Sequence, residues 1–306
     1  MEKTFFFKNI SILMGSNMEV IKDNLLIIDG KIAAFGHKAN KEALKNKIEI
    51  SKSGNKLVAP MLVDSHSYLK NPLTGVADDL ANLKLRAKKS GFYIIDNNNE
   101  LSEVKNILGI KNLFPSKKIV IKNIADSNSF KEIEKANIPT LTTISWWSLL
   151  ADTNNLELDD LGWKVDPPLG SKENREFLIK ALENDLIQAI AVNSIALNDE
   201  DTFVPINDRP VGISSFELVL PLLWEEFINI RGWPISKLWK YLSFNPSDLL
   251  GIKQEALSLG SKRWLMFDPD IKWVNNQINL GYDSPSNFPK KNKLIKGKVI
   301  DVGLDF

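Results

Sequence analysis

The sequence predicts an α/β protein, with β-rich ends around a middle in which strands alternate with helices. Three observations carry this: an aromatic and β-branched opening run, an Asp-Gly hairpin signal behind it, and a change of period beyond Asp64. Thr4 to Ile12 reads as the first strand. Leu25–Ile28 and Lys31–Phe35 flank Asp29-Gly30, the dipeptide suited to a type I′ turn because both central residues need positive φ. Leu57 to Asp64 is a further apolar run, ending in the polar group Asp64-Ser65-His66. Past it, the alternation predicts a helix over Asp78–Lys89, a strand at Gly91–Ile95, a strand at Lys118–Ile121 and a short helix over Phe130–Ala136. A strand at Pro139–Ser145 follows. Ser171 caps a helix running through Leu182, and Ile187–Val192 is a short buried strand. Ser215–Ile230 is helical, with a kink expected at Pro221, and Pro234 suits the first turn of the next helix. After Gly260 the chain is β-like again, at Trp264–Phe267 and Trp273-Val274. The two ends are therefore expected to build one small sheet domain together, residues 1–56 with 258–306, around a middle domain of residues 57–257.

Composition narrows the chemistry. The chain has 306 residues, enough for a sizeable core. Its 39 Lys and Arg nearly cancel its 38 Asp and Glu, so no electrostatic footprint for nucleic acid or an anionic membrane is expected. Lys8 and Asn9 interrupt the apolar start, which argues against a signal peptide, and no apolar run is long enough to span a bilayer. A cytoplasmic location is the expectation. With no cysteine, thiolate sites and cysteine nucleophiles are excluded. Only two histidines occur, His37 and His66, too few imidazoles for a binuclear zinc centre. Magnesium or manganese on oxygen ligands stays open.

Several segments resemble the dihydroorotases of the amidohydrolase superfamily. Val63-Asp64-Ser65-His66-Ser67-Tyr68-Leu69-Lys70-Asn71-Pro72 resembles a strand ending in His-x-His-Leu-Arg-x-Pro. Val165-Asp166-Pro167-Pro168-Leu169 resembles the Asn/Asp-Pro-Pro-Leu segment. Val192-Asn193-Ser194 stands where the last barrel strand ends in Thr-Asp-His. Arg209-Pro210-Val211-Gly212-Ile213-Ser214-Ser215-Phe216-Glu217 resembles the Ala-Pro-x-Gly-x-x-Gly-x-Glu loop, and Asn245-Pro246 to Gly251 the Asn-Pro-Ala-x-x-x-Gly helix. The resemblance implies a TIM-type (β/α) barrel beside a small β-sandwich, with catalytic groups at the C-terminal strand ends. It also implies zinc-activated water attacking a cyclic amide.

The chain departs from that pattern at nearly every ligand. His66 keeps one metal histidine, while Tyr68 replaces the other. Lys70 stands for the arginine that grips the substrate carboxylate, keeping the charge but losing the bidentate fork. Asn123 falls near a further metal histidine, and Ser145-Trp146-Trp147-Ser148 near paired ones. Asn193 replaces the catalytic aspartate, Ser194 the histidine after it and Leu197 a later one. An asparagine takes no proton from water. Roughly twenty residues separate Asn97 from Lys118, where a βα unit needs roughly 30, so the barrel is expected to be shortened in its middle.

These residues support two kinds of reading. His66 is either a metal ligand or a structural histidine, and Asp64 a catalytic group or a loop hydrogen-bonder. Trp146-Trp147 either stacks a ligand or splits between core and surface. Arg209 with Gly212 either binds an anion or ties down its loop. Asn123 and Asn193 read as polar fillers of a former site, and His37 as a surface residue. The expected remnant pocket is thus Asp64, His66, Tyr68, Lys70, Asn123, Asn193, Ser194, Arg209 and Gly212, with no catalytic group and no cofactor, although the family uses zinc. The leading expectation is an inactive dihydroorotase-like subunit linked to pyrimidine biosynthesis. Related inactive chains support assembly of aspartate transcarbamoylase, which makes that enzyme, or self-association, the expected partner. A divergent cyclic amidohydrolase and a small-anion sensor are the alternatives.

Overall fold

The computed structural model describes residues 3–66, 80–94, 119–136, 140–157, 160–205, 207–281 and 284–303. The opening residues form β1 (Phe5–Leu13), β2 (Val20–Ile28) and β3 (Lys31–Phe35), then α1 (Gly36–Lys45) and the short β4 (Ile50–Ser51). Asp29 and Gly30 take φ of 50° and 70°, and Ile28 faces Lys31 across the turn, so the Asp-Gly pair makes the tight hairpin its sequence calls for. Next come β5 (Leu57–Pro60), β6 (Leu62–Asp64), α2 (Leu80–Lys89), β7 (Phe92–Ile94), β8 (Ile119–Ile121) and α3 (Ser127–Ala136). They are followed by β9 (Thr140–Ser145), α4 (Lys172–Glu183), β10 (Ala189–Ala191) and α5 (Asp199–Thr202). The last third holds α6 (Phe216–Leu223), α7 (Ile235–Trp239), α8 (Asn245–Leu250), β11 (Trp264–Val274), α9 (Gln277–Leu280) and β12 (Leu294–Val302).

Strands from both ends of the chain share one mixed seven-stranded sheet, in the order β12-β11-β5-β1-β2-β3, with β4 also on β1. Alternation sorts its side chains onto two faces. Phe7, Ile10, Ile12, Leu25, Ile27 and Trp264 pack together on one side. On the other, Phe6, Leu26 and Ala34 receive Ala39 and Ala43 of α1. The sequence reading passed over α1 because no capping side chain precedes it and its buried face consists of those two small residues. Trp264 locks the sheet's middle: it is fully buried, and its Nε1–H donates to Gly30 O at 2.9 Å.

The remaining strands are parallel and short. β6 pairs with β7, and β10-β9-β8 form a second sheet. Among the described residues no hydrogen-bonded closed barrel forms. Helices pack around these strands, with Leu178, Ile179 and Leu182 of α4 and Leu218, Val219 and Leu220 of α6 fully or almost fully buried. Ser171 caps α4 as expected, its side chain accepting from Asn174 N. The expected helix at 215–230 changes character rather than stopping: α6 carries Pro221 and passes into a π-helical run, Trp224–Ile230. Pro234 is the cap residue ahead of α7, not part of its first turn. No helix among the described residues is long and apolar enough to cross a membrane.

Replacing Trp264 by Ala empties the largest side chain at the junction of β11 with the hairpin and orphans the Gly30 carbonyl. Urea unfolding of Trp264→Ala is expected to show a loss of about 3–5 kcal/mol; a loss below about 1 kcal/mol would mean the two ends of the chain are not coupled through this residue.

Candidate functional site

The C-terminal ends of β6, β8, β9 and β10 converge on His66. The imidazole is 3 % exposed, and its Nε2 shares a hydrogen bond of 2.7 Å with the Thr143 hydroxyl of β9. Thr143 Oγ1 also accepts the Asn123 N–H at 3.3 Å, so one threonine ties the ends of β6 and β8 to the strand between them. Asp64 works on the other flank. Its Oδ1 accepts the N–H of Val192 at 2.9 Å and that of His66 at 3.2 Å, joining β6 to the end of β10. Lys122, directly after β8, completes the group. Burial lowers the pKa of its ammonium, against the pull of Asp64 in the opposite direction. Burial, with Lys122 second, drives the His66 pKa down from 6.5 to about 3. The imidazole is therefore neutral at physiological pH.

Asn123 and Asn193 both take left-handed backbone, with φ of 52° and 55°, each just beyond a strand. Asparagine tolerates that conformation better than most residues. Their side-chain oxygens are shielded from solvent without a hydrogen-bond partner among the described residues, as are Ser65 Oγ, His66 Nδ1 and Trp146 Nε1. Ser194 is bonded to Ser214, hydroxyl to hydroxyl at 2.9 Å, and Ser214 in turn accepts from Arg86 Nη1 at 3.2 Å. Leu197 is buried, and its N–H donates to Asn287 Oδ1 at 2.9 Å.

One expectation is corrected here. Trp146 and Trp147 do not divide between core and surface: they are 0 % and 1 % exposed, with ring centroids 5.3 Å apart. The chain leaves β9 at Ser145 and enters a 3₁₀ turn, Trp147–Leu149, so the in–out alternation of a strand no longer applies. Trp147 Nε1 donates to Gly162 O at 2.9 Å, which fixes the ring inside. The Gly212 N–H donates to Lys164 O at 2.7 Å. Arg209 itself keeps Nε and Nη1 shielded and unpartnered. His37 is exposed on α1. Tyr68 and Lys70 lie outside the described residues.

Thr143 and Lys122 were missed by sequence reasoning. Thr143 looks like any β-branched strand residue. Lys122 had a signal, being a charge set directly on the C-terminal end of an apolar strand.

The zinc implied by the resemblance can be tested against these donors. Among the described residues no three of His, Cys, Asp or Glu come together in a way that could hold a metal. The imidazole there has Nε2 engaged by Thr143, Asp64 Oδ1 is taken up by two backbone N–H groups, and the other side-chain oxygens belong to amides and hydroxyls, which suit zinc poorly. The described residues do not fit a binuclear zinc centre. The cleft beside them, lined by Ser145, Trp147, Asp166, Asn193 and Gly212, has room of about 10 Å³, roughly one water.

Solved structures show the same architecture. The chain aligns with a dihydropyrimidinase from Brevibacillus agri at a TM-score of 0.67 and 14% identity, covering 98% of this chain and 93% of that one. A D-hydantoinase gives 0.69 and 16%, with the same coverage. No family model matches. A probable dihydroorotase-like protein of Synechocystis sp. is 33% identical over 141 residues, 46% of this chain and 31% of that protein. The dihydroorotase of Staphylococcus epidermidis is 29% identical over 127 residues, 42% of this chain and 30% of the enzyme. The matched stretch thus spans less than a third of each curated relative. The α/β fold is similar to that of the solved dihydropyrimidinase and D-hydantoinase. Over less than half of its length the sequence is similar to dihydroorotases and a dihydroorotase-like protein.

The depressed His66 pKa sets a pH dependence. Between about pH 6.5 and 3 the unfolded chain binds a proton at this residue and the folded chain does not, so stability rises with pH there and falls on acidification. The contribution is on the order of several kcal/mol across that window. A His66→Gln variant is expected to flatten the profile of unfolding free energy from pH 6.5 to 4 by close to one proton. An unchanged profile would show that His66 is not held neutral.

Proposed function

We propose that this chain is a dihydroorotase-like homologue that does not hydrolyse cyclic amides and acts as a structural or regulatory subunit linked to pyrimidine biosynthesis. The observation that carries the reading is the closure of the strand-end centre. His66 is hydrogen-bonded to Thr143 and held neutral by burial. Trp147 and Asn193 line a cleft with room for about one water, and Asn193 offers an amide where the reaction needs a proton acceptor. A hydrolytic site requires a nucleophilic water, a base to take its proton and space for the ring that is opened. The described residues supply none of these together.

The parallel strands are consistent with a shortened barrel. Asp64 links β6 to the end of β10, giving the run β7-β6-β10-β9-β8 where a complete barrel has eight strands. Among the described residues β7 and β8 each pair on one side only. Parallel strands are normally covered, and a partner chain is a natural cover; aspartate transcarbamoylase or a second copy is the partner we propose.

A divergent cyclic amidohydrolase is the second reading. The relatives named dihydroorotase favour it, as does the grouping of Asp64, His66 and Lys122 at the strand ends. A small-anion sensor is the third, supported by the unpartnered nitrogens of Arg209.

Interconversion of dihydroorotate and carbamoyl aspartate by purified protein, with and without added zinc, separates the first two. Rates equal to buffer are expected in both cases. Zinc-dependent turnover lost in His66→Ala would establish the enzyme instead. For the subunit role, co-purification with aspartate transcarbamoylase or a dimer in solution is expected, and a monomer that retains neither would end it.

A further inference from the structure

A second hollow lies at the opposite end of the parallel strands. Asn245 Nδ2 donates to Gln188 O at 2.8 Å, just before β10, and Ser243 Oγ donates to Met61 O at 2.7 Å, just before β6. The stretch from α7 to α8 therefore covers the N-terminal strand ends. A groove of about 510 Å³ opens there, lined by Asn17, Glu183, Lys237, Lys240, Tyr241 and Asp248 among others. That volume is ordinary for a small-molecule site. Part of its wall is the π-helical turn Lys240–Phe244, a rare conformation found often at functional sites.

The charges around the groove are arranged unevenly. Asp185 is satisfied by Lys240 at 2.5 Å and by the Tyr241 hydroxyl at 2.7 Å. Asp248 Oδ2 accepts from Gln254 Nε2 at 2.8 Å. Trp233 is the pivot of the remaining pair. Its Nε1–H donates to Glu183 Oε1 at 3.0 Å, while Lys237 Nζ sits 4.2 Å from the centre of the same indole. One buried ring thus holds a carboxylate and an ammonium as near neighbours, yet the two form no ion pair with each other. Among the described residues Glu183 Oε2 has no hydrogen-bond partner and Lys237 makes no ion pair, although its charge also acts on Asp185. Opposite charges held on one ring, not ion-paired with each other and lining a common groove, are the complement of a zwitterion. The acids alone are not a metal site, since no three such side chains converge among the described residues.

We propose that this groove binds a free α-amino acid, its carboxylate on Lys237 and its ammonium on Glu183. Asn17, Asp248 and Gln254 on the far wall favour a polar side chain. The proposal is independent of the function proposed above, because it uses the other end of the strands and no step of the hydrolytic chemistry.

The test is calorimetric titration of the purified protein with each of the twenty standard amino acids in turn. The N-acetyl and carboxamide derivatives of any that binds follow. One or more polar amino acids is expected to bind saturably, with each half-charged derivative at least tenfold weaker. Lys237→Met and Glu183→Gln are each expected to weaken binding at least tenfold while the unliganded melting temperature stays within a few degrees. If Lys237→Met fails to fold, Glu183→Gln carries the test alone. Absence of saturable binding by every amino acid overturns the site. Equal binding of a half-charged derivative, or unchanged binding by the variants, does so as well.

Discussion

The parallel half of this molecule depends on one carboxylate oxygen. Asp64 Oδ1 sits at the end of β6, 2 % exposed as a residue, and accepts two backbone N–H groups, one from its own strand end and one from beyond β10. No backbone ladder joins those strands among the described residues, so a side chain does what a ladder would do. A carboxylate suits the task because one oxygen can accept from two donors and charge-assisted hydrogen bonds are stronger than neutral ones. Burying that charge is costly unless it is compensated, and Lys122 supplies nearby positive charge. With β6 and β10 fixed to each other, His66 can reach Thr143, and Thr143 can hold Asn123.

This arrangement explains why the strand-end centre is polar yet closed. Thr143, Asn123, Asn193 and two buried tryptophans lie at the strand ends, and His66 is hydrogen-bonded to Thr143. The two buried indole rings make this region part of the core, and core packing is the larger source of stability.

The sequence announced the elements whose signals are local. Asp29-Gly30 fixed a turn because few residues tolerate two consecutive positive φ angles, and Ser171 marked the start of α4 because a free helix N–H needs an acceptor. It concealed α1, whose buried face is two alanines, and α5, whose Asn198–Asp201 capping box lies inside what looks like a loop. At the site, the order of the motifs was enough to name Asp64, His66, Asn123 and Asn193. The hydrogen bonds that decide their roles run between residues 77 and 128 positions apart, and no pattern in the sequence encodes such pairings. Tryptophan inside rather than half outside was unreadable for a similar reason, since it follows from where β9 stops.

The sheet that joins the two ends of the chain has a kinetic consequence. Trp264 meets Gly30 across 234 positions, and β11 completes the edge of β5 only after almost the whole chain is available. Contacts of such sequence separation carry a large loop-closure cost and slow folding. During synthesis β5 waits without its antiparallel neighbour while β6 to β10 are already made. For that interval the nascent protein carries open strand edges and a half-covered apolar face, the kind of surface that chaperones hold and that aggregates when they do not.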